Sequence, residues 1–288
     1  MAKDTFLNGK KTLNVKGRLL DLSTPAVMAI LNLTPDSFYG DSRINSVDDA
    51  IRRAEGFLTD GAQFIDIGAY SSRPGAAEVS AEEELKRMIP VIEAITKKLP
   101  EAILSVDTFR AKVAREAVQS GAHIINDIAA GGMDEGMFDT VAQLQVPYIM
   151  MHMKGTPQTM QQHTQYEHIG LEILHYFSSK IAELKKLGVK DIVIDPGFGF
   201  SKTLEQNYQL LQQMEHLQIT GLPILVGVSR KSMIYKLLAC SAEEALNGTT
   251  VVNTIALLKG AGILRVHDVK PAVETIKILT LLSATSSG

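Results

Sequence analysis

Ile192-Val-Ile-Asp195-Pro-Gly-Phe-Gly-Phe200 decides how the chain is read. Three consecutive β-branched residues make a short apolar run, the pattern of a strand buried on both faces as in a parallel sheet. The run ends on a carboxylate, and Pro196-Gly197 with Gly199 then forces a turn. A carboxylate at the mouth of a buried strand needs hydrogen-bond partners, because an isolated buried charge costs several kcal/mol or neutralises. Taken alone, such an Asp-Pro-Gly is compatible with a structural cap on loop amides. The same arrangement, however, returns along the whole chain.

Working outward, Ala26–Leu31 ends at Asn32, Gln63–Gly68 carries Asp66, and Ile103–Asp107 ends on a carboxylate. His123–Ile128 carries Asn126, and Pro147–His152 ends on Met151 and His152. Ile224–Ser229 runs into Arg230-Lys231, and Gly262–Asp268 carries Arg265 and His267. Helical patterns fill the spaces between. Ser46 with Asp49 marks the start of one that runs to about Asp60, and Ser80 with Glu83 reads as a capping box before another, kinked at Pro90. Further helices end at Gly121 and near Leu187, and one is capped by Ser241 and Glu244. Residues 11–24 alternate about Lys16-Gly17, which predicts a short hairpin. Eight strand–helix units without a break in composition predict a single closed (β/α)8 TIM barrel over residues 26–288, with residues 1–25 as its hairpin-bearing extension. An open doubly wound sheet would want a G-x-G-x-x-G after its first strand, and Asn32-Leu-Thr-Pro-Asp36 has none.

A length of 288 residues suits one such barrel. Apolar residues make up 45% and charged residues 21%, enough for a large core with a charged surface. A net charge of −3 gives no footprint for nucleic acid or an anionic membrane. Any anionic ligand must therefore be met by a few placed cations. The single cysteine, Cys240, excludes an intramolecular disulfide and a Cys-rich metal site. No secretory h-region follows the first lysines, and no apolar stretch reaches the roughly 18 residues of a membrane helix. A cytoplasmic protein is expected.

In a barrel the C-terminal ends of the strands meet on one face, where the active site lies. Here those ends supply Asn32, Asp66, Asp107, Asn126, Met151–His152, Asp195, Ser229–Lys231 and Arg265–His267. Singly each has a structural excuse; His152 reads as a satisfied core histidine and Asp66 as a loop cap. Together they read as a site, because the strand bodies are almost wholly apolar. Two Asp and one Asn among the apolar walls Ile128, Met151 and Phe200 suit a flat heterocycle with donor edges. The cations Arg73, Lys231 and Arg265, with His267, follow strands 2, 7 and 8, and barrels often hold phosphate after strands 7 and 8. Asn32, with Asp36 nearby, suits a hard cation such as Mg2+ that keeps waters and phosphate oxygens. No G-x-S-x-G occurs, and Cys240 falls in a helical pattern, so the set favours stabilising a departing anion over covalent catalysis.

Seven ordered motifs carry a resemblance. They are Asn32-Leu-Thr-Pro-Asp-Ser-Phe38, Ser72-Arg-Pro-Gly-Ala76, Ser105-Val-Asp-Thr108, Ile125-Asn-Asp-Ile128, Asp195-Pro-Gly-Phe-Gly-Phe200, Ser229-Arg-Lys-Ser232 and Arg265-Val-His-Asp-Val269. With them the chain resembles the dihydropteroate synthase family of the pterin-binding barrel superfamily, over essentially its whole length from Val27. The resemblance implies a transferase of folate biosynthesis. It would condense 6-hydroxymethyl-7,8-dihydropterin diphosphate with 4-aminobenzoate, giving 7,8-dihydropteroate and diphosphate. It also implies that Asp107, Asn126 and Asp195 grip the pterin edge and Lys231 contacts the ring system. Asn32 assists Mg2+ at the diphosphate, Arg265 and His267 receive the leaving diphosphate, and Ser72-Arg73-Pro74 borders the aminobenzoate. The expected catalytic set is thus Asp107, Lys231, Arg265 and His267, with Ile128, Met151, Phe200, Ser229 and Val266 completing the pocket. The family further implies a homodimer and a sulfonamide target.

One loop departs from many bacterial relatives, where it reads like Gly-Glu-Ser-Thr-Arg-Pro. This chain has Ala69-Tyr-Ser-Ser-Arg-Pro74, so Tyr70 stands in place of an acid and Ser72 keeps the hydroxyl of a threonine. Two alternatives stay open at this point: a pterin-dependent methyltransferase of the same superfamily, and a non-catalytic pterin-binding relative.

Overall fold

The period-two pattern inside each apolar run closes a barrel. The computed structural model describes residues 12–33, 46–70 and 79–285. A hairpin comes first: β1 (Thr12–Val15) and β2 (Arg18–Asp21) pair antiparallel about Lys16-Gly17, both at positive φ as a two-residue primed turn requires. There follow β3 (Ala26–Asn32), α1 (Val47–Thr59), β4 (Phe64–Gly68), α2 (Ala81–Lys98), β5 (Leu104–Asp107) and α3 (Ala111–Gln119). Next come β6 (Ile124–Asp127), α4 (Met137–Leu144), β7 (Tyr148–Met151), α5 (Ile169–Lys186), β8 (Ile192–Asp195) and α6 (Leu204–Gln213). The chain ends with β9 (Leu225–Val226), α7 (Ser232–Tyr235), α8 (Leu246–Leu258), β10 (Ile263–Val266) and α9 (Val269–Thr285). All eight strands from β3 onward run parallel in the order β8-β7-β6-β5-β4-β3-β10-β9, and an Ile194–Ile224 bridge joins the two ends. The barrel and its antiparallel hairpin are both as expected from the sequence.

The helix starts follow their caps. Ser46 Oγ accepts from the Asp49 N–H at 3.1 Å, and Ser80 Oγ from the Glu83 N–H at 3.2 Å. Glu83 does not look back at Ser80 as the box would require; its carboxylate accepts from Arg87 Nε at 2.8 Å. Pro90 lies on the exposed side of α2, which runs through it as one helix. The Ser241–Glu244 box is formed, but it opens a turn ahead of α8 rather than the helix itself. Cys240 sits at a bend between α7 and α8, not inside a helix.

Side-chain alternation divides the core in two. Val27, Ala29 and Leu31 on β3, Ile65 and Ile67 on β4, and their counterparts on every other strand face outward onto the helices. The inward positions Met28, Phe64, Ile124, Ile149, Val193, Leu225 and Ile263 form a separate cluster with Leu13, Val15 and Leu22. The hairpin therefore stoppers the N-terminal end of the barrel. Further along the strands, on β4, β5, β6, β8 and β10, the interior changes from apolar to polar.

Candidate active site

Those next inward positions are Asp66 on β4, Asn126 on β6, Met151 on β7, Asp195 on β8 and Arg265 on β10, with Asp107 ending β5. Two inward positions carry no side chain. A Cβ on Gly227 would lie 3.8 Å from Arg265 Cβ and 3.9 Å from Lys231 Nζ. One on Gly68 would lie 3.7 Å from both Asn32 Oδ1 and Asp107 Oδ2. The two glycines thus leave room at the strand mouths, with polar groups bordering it.

A buried array spans the interior. Asp66 Oδ2 accepts from Arg265 Nε at 2.6 Å and from Asn126 Nδ2 at 2.9 Å, while Arg265 Nη2 donates to Asp107 Oδ2 at 2.8 Å. Asp66 is fully buried, and its Oδ1 has no protein partner. Because Asp66 can only accept, it fixes the Asn126 amide: Nδ2 is turned inward to the carboxylate. Across the mouth, Asp195 Oδ1 accepts from the Gly197 N–H at 2.8 Å. Lys231 Nζ donates to Phe198 O at 2.6 Å and lies 4.7 Å over the Phe200 ring. His267 stands with Ser229: its N–H donates to Ser229 Oγ at 3.2 Å, and its Nδ1 is 3.0 Å from the same oxygen.

Burial sets the charges. It raises the Asp107 carboxyl to about 7, with Arg265 opposing the rise and Asp66 adding to it. It raises Asp195 as well, opposed first by Lys231. Desolvation brings the Lys231 ammonium down to about 8, with Asp195 pulling the other way. His267 falls to about 4 because it is buried and Arg265 lies near. In sequence His267 stands among the cations Lys231 and Arg265; in the fold it is a neutral imidazole near neutral pH, able to donate a hydrogen bond but carrying no charge.

Of the residues expected at the site, Asn32, Asp107, Asn126, Asp195, Ser229, Lys231, Arg265 and His267 come together at the strand mouths. Ile128 and Met151 join Phe109, Ala129, Met153 and Met160 in one apolar cluster against which Tyr70 and Phe200 pack, forming a wall of the site. Val266 does not face the pocket. Being one residue past Arg265 on a strand, it points the other way and is buried in the outer core against the helices. Ser72, Arg73, Pro74 and Asp36 lie outside the described residues. Asp66 carries no strand-end signal in the sequence, although its parity with Phe64 and Gly68 marks it as inward. Lys202, buried beneath the loop after β8, has no strand-end signal either.

Comparison with known proteins gives this geometry a family. The family described as "Pterin binding enzyme" matches residues 28–267. The chain is similar to the dihydropteroate synthase of Escherichia coli (strain K12), at 46% identity over 266 residues, covering 92% of this chain and 94% of the relative. Among solved structures, Yersinia pestis dihydropteroate synthase with a sulfonamide drug complex gives a TM-score of 0.90 at 41% identity, over 95% of this chain and 99% of that one. Xanthomonas albilineans dihydropteroate synthase with 4-aminobenzoic acid gives 0.87 at 38%, over 95% and 98%.

Proposed function

We propose a division of labour in the site from one premise: the chain belongs to the dihydropteroate synthase family of pterin-binding enzymes. Its reaction is the folate-synthesis transfer that joins (7,8-dihydropterin-6-yl)methyl diphosphate to 4-aminobenzoate and releases diphosphate. Asp195 and Asp107, in their ionised forms, accept from the amino and ring N–H groups of the pterin, and Asn126 adds its amide. Lys231, over the Phe200 ring, meets the oxygen-bearing side of the heterocycle. The apolar wall of Ile128 and Met151 covers a ring face.

When the methylene C–O bond breaks, its electron pair leaves with the diphosphate. The positive charge left behind spreads into the pterin, where the two buried carboxylates offset it. Arg265 and the His267 imidazole donate to the departing oxygens. The aniline lone pair of 4-aminobenzoate then forms the new C–N bond and the nitrogen sheds a proton, so no strong general base is required. Ser72, Arg73 and Pro74 belong in this reading to the aminobenzoate subsite.

Mg2+ fits the strand mouths. Asn32 Oδ1 borders the space over Gly68 together with a carboxylate oxygen of Asp107, and a hard cation of this kind takes few protein oxygens and keeps waters and phosphate oxygens. Among the described residues no cluster of three His, Cys, Asp or Glu offers another site. Asn32 would hold the ion, which when bound supplies charge neutralisation on the diphosphate.

Two coarser features complete the proposal. A homodimer is supported by the exposed apolar side chains of α8 and α9, and a cytoplasmic location by the single free cysteine. Among the described residues no helix is long and apolar enough to cross a membrane.

The observation that carries the reading is the Asp66–Arg265–Asp107 array with the Asn126 amide hung from its buried Asp66 end. Diphosphate release from the pterin diphosphate tests it. Release should require 4-aminobenzoate, rise with Mg2+ and fall when a sulfonamide competes. Release at the same rate without the amine would mean a hydrolase, and none at all would leave a binding protein.

A further inference from the structure

The loop after β8 is held from below by a buried amine that the reaction does not touch. Lys202 is almost fully buried, and its Nζ donates to Gly197 O at 2.9 Å and to Phe200 O at 2.9 Å. The third contact of Nζ is His152 Nδ1 at 3.1 Å, just beyond the end of β7. No carboxylate pairs with it within ion-pair distance among the described residues. The amine therefore sits inside the Gly197–Phe200 turn, whose own Phe200 N–H donates to Gly197 O at 3.1 Å. Gly197 and Gly199 are both at positive φ, which glycine adopts without a Cβ penalty, and Ser201 just past the turn is left-handed too.

The upper surface of that turn is the platform for Lys231. Phe198 O accepts from Lys231 Nζ, and the Phe200 ring lies under the ammonium. A Cβ on Gly199 would come within 3.1 Å of Lys231 Cδ, so the turn backbone lies against the lysine stem. Both carbonyls that Lys202 holds flank Phe198 and Gly199. We infer that Lys202, with His152, is a positioning residue that sets the height and orientation of Lys231 through the Gly197–Phe200 turn.

Burial lowers both Lys202 and His152 well below their ordinary values. The clamp closes in either proton arrangement. An ammonium donates to the bare Nδ1, and a neutral amine accepts from Nδ1–H while still donating to both carbonyls. The clamp thus holds its shape across the pH range in which Lys231 titrates.

The inference rests on the reading that Lys231 contacts the pterin, so the experiment is a double-mutant cycle. Pterin affinity is measured by calorimetry for the full chain, Lys202→Met, Lys231→Met and the double variant, with folding checked by circular dichroism. Lys202→Met should weaken pterin binding by about tenfold in the native background and by less than about twofold in the Lys231→Met background. The KM for 4-aminobenzoate should stay within about twofold throughout. Wild-type affinity in Lys231→Met alone would sink the reading of Lys231. A loss in Lys231→Met with additive losses in the double variant would sink only the role of Lys202. Lys202→Gln, which keeps an amide donor, carries the same cycle if the Met variant is unstable. Unfolding of both overturns the proposal, because Lys202 would then be a determinant of the fold and not of Lys231.

Discussion

Removing one negative charge at Asp66 tests how the buried array is balanced. Arg265 is mostly shielded from water, and without the Asp66 charge Asp107 would be its one ion-pair partner, with Asp195 acting from further off. Breaking a buried ion pair from one side typically costs about 3–5 kcal/mol; with Asp107 still in place, Asp66→Asn should cost about 2 kcal/mol in urea unfolding. An unchanged midpoint would mean that Asp107 suffices and Asp66 serves only the Asn126 amide. Lys231 gives a second test through pH. Its folded value lies near 8, below its ordinary value of 10.5. The unfolded chain therefore binds more protons between these values, and this group makes the ligand-free protein more stable as pH rises through the window. Pterin binding should run the opposite way, weakening as pH rises through about 8 because the ammonium contact is lost. Lys231→Met should flatten that alkaline limb. A limb that survives the substitution belongs to another group.

At the scale of single elements, the loop from Asp195 to Lys202 shows why its glycines are there. Gly199 has φ +83, and the nearest atom to an added Cβ is a carbon of a flexible lysine stem rather than backbone. Gly199→Ala should cost about 1 kcal/mol in stability from the left-handed backbone, while displacing Lys231 and weakening pterin binding by more than its cost in folding. Calorimetry and thermal unfolding on the same preparation separate the two, and equal losses would show the loop to be merely strained. The same loop marks how much was legible in the sequence. Asp195, Asp107 and Asn126 stand out because a polar residue ends or nearly ends an apolar run. Asp66 is masked by Gly68, which ends its strand without a polar group, and Val266 is misjudged because neighbours on a strand face opposite sides. Lys202 gives no signal in one dimension, since its partners are carbonyls and a histidine reached only by folding. Helix starts were readable where Ser46 and Ser80 cap them. The 3-10 turns Met160–Gln162 and Met214–Thr220 were not, because tertiary packing sets their limits.

Across the whole molecule the two ends of the barrel have separate tasks: the hairpin closes one with Leu13, Val15 and Leu22, and the polar strand mouths open the other. The eight-unit count was legible because each unit repeats the same apolar-to-polar change, whereas closure through a β9 of only two residues was not, its ladder stopping where Gly227 makes room for Arg265 and Lys231. One surface belongs to neither task. Val251 is 52% exposed and Leu258 65% exposed on α8, with Ile255 between them at helical spacing. On α9, which packs beside α8, Ile278 is 69% exposed and Leu281 67%. Exposed apolar side chains gathered on two adjoining helices are the kind of surface that marks an interaction site, and two-fold pairing of identical faces is the commonest way a chain covers one. Sedimentation should therefore find a dimer, and Leu258→Asp with Ile278→Asp should shift it to monomer. Because these side chains make little contact within their own chain, each charge should alter urea unfolding of the monomer by only about 0.5 kcal/mol. Turnover per subunit should persist, since neither Leu258 nor Ile278 lies among the strand-mouth residues. A double variant that remains dimeric would move the interface elsewhere, and one that loses turnover with its partner would mean that the second copy supports the site.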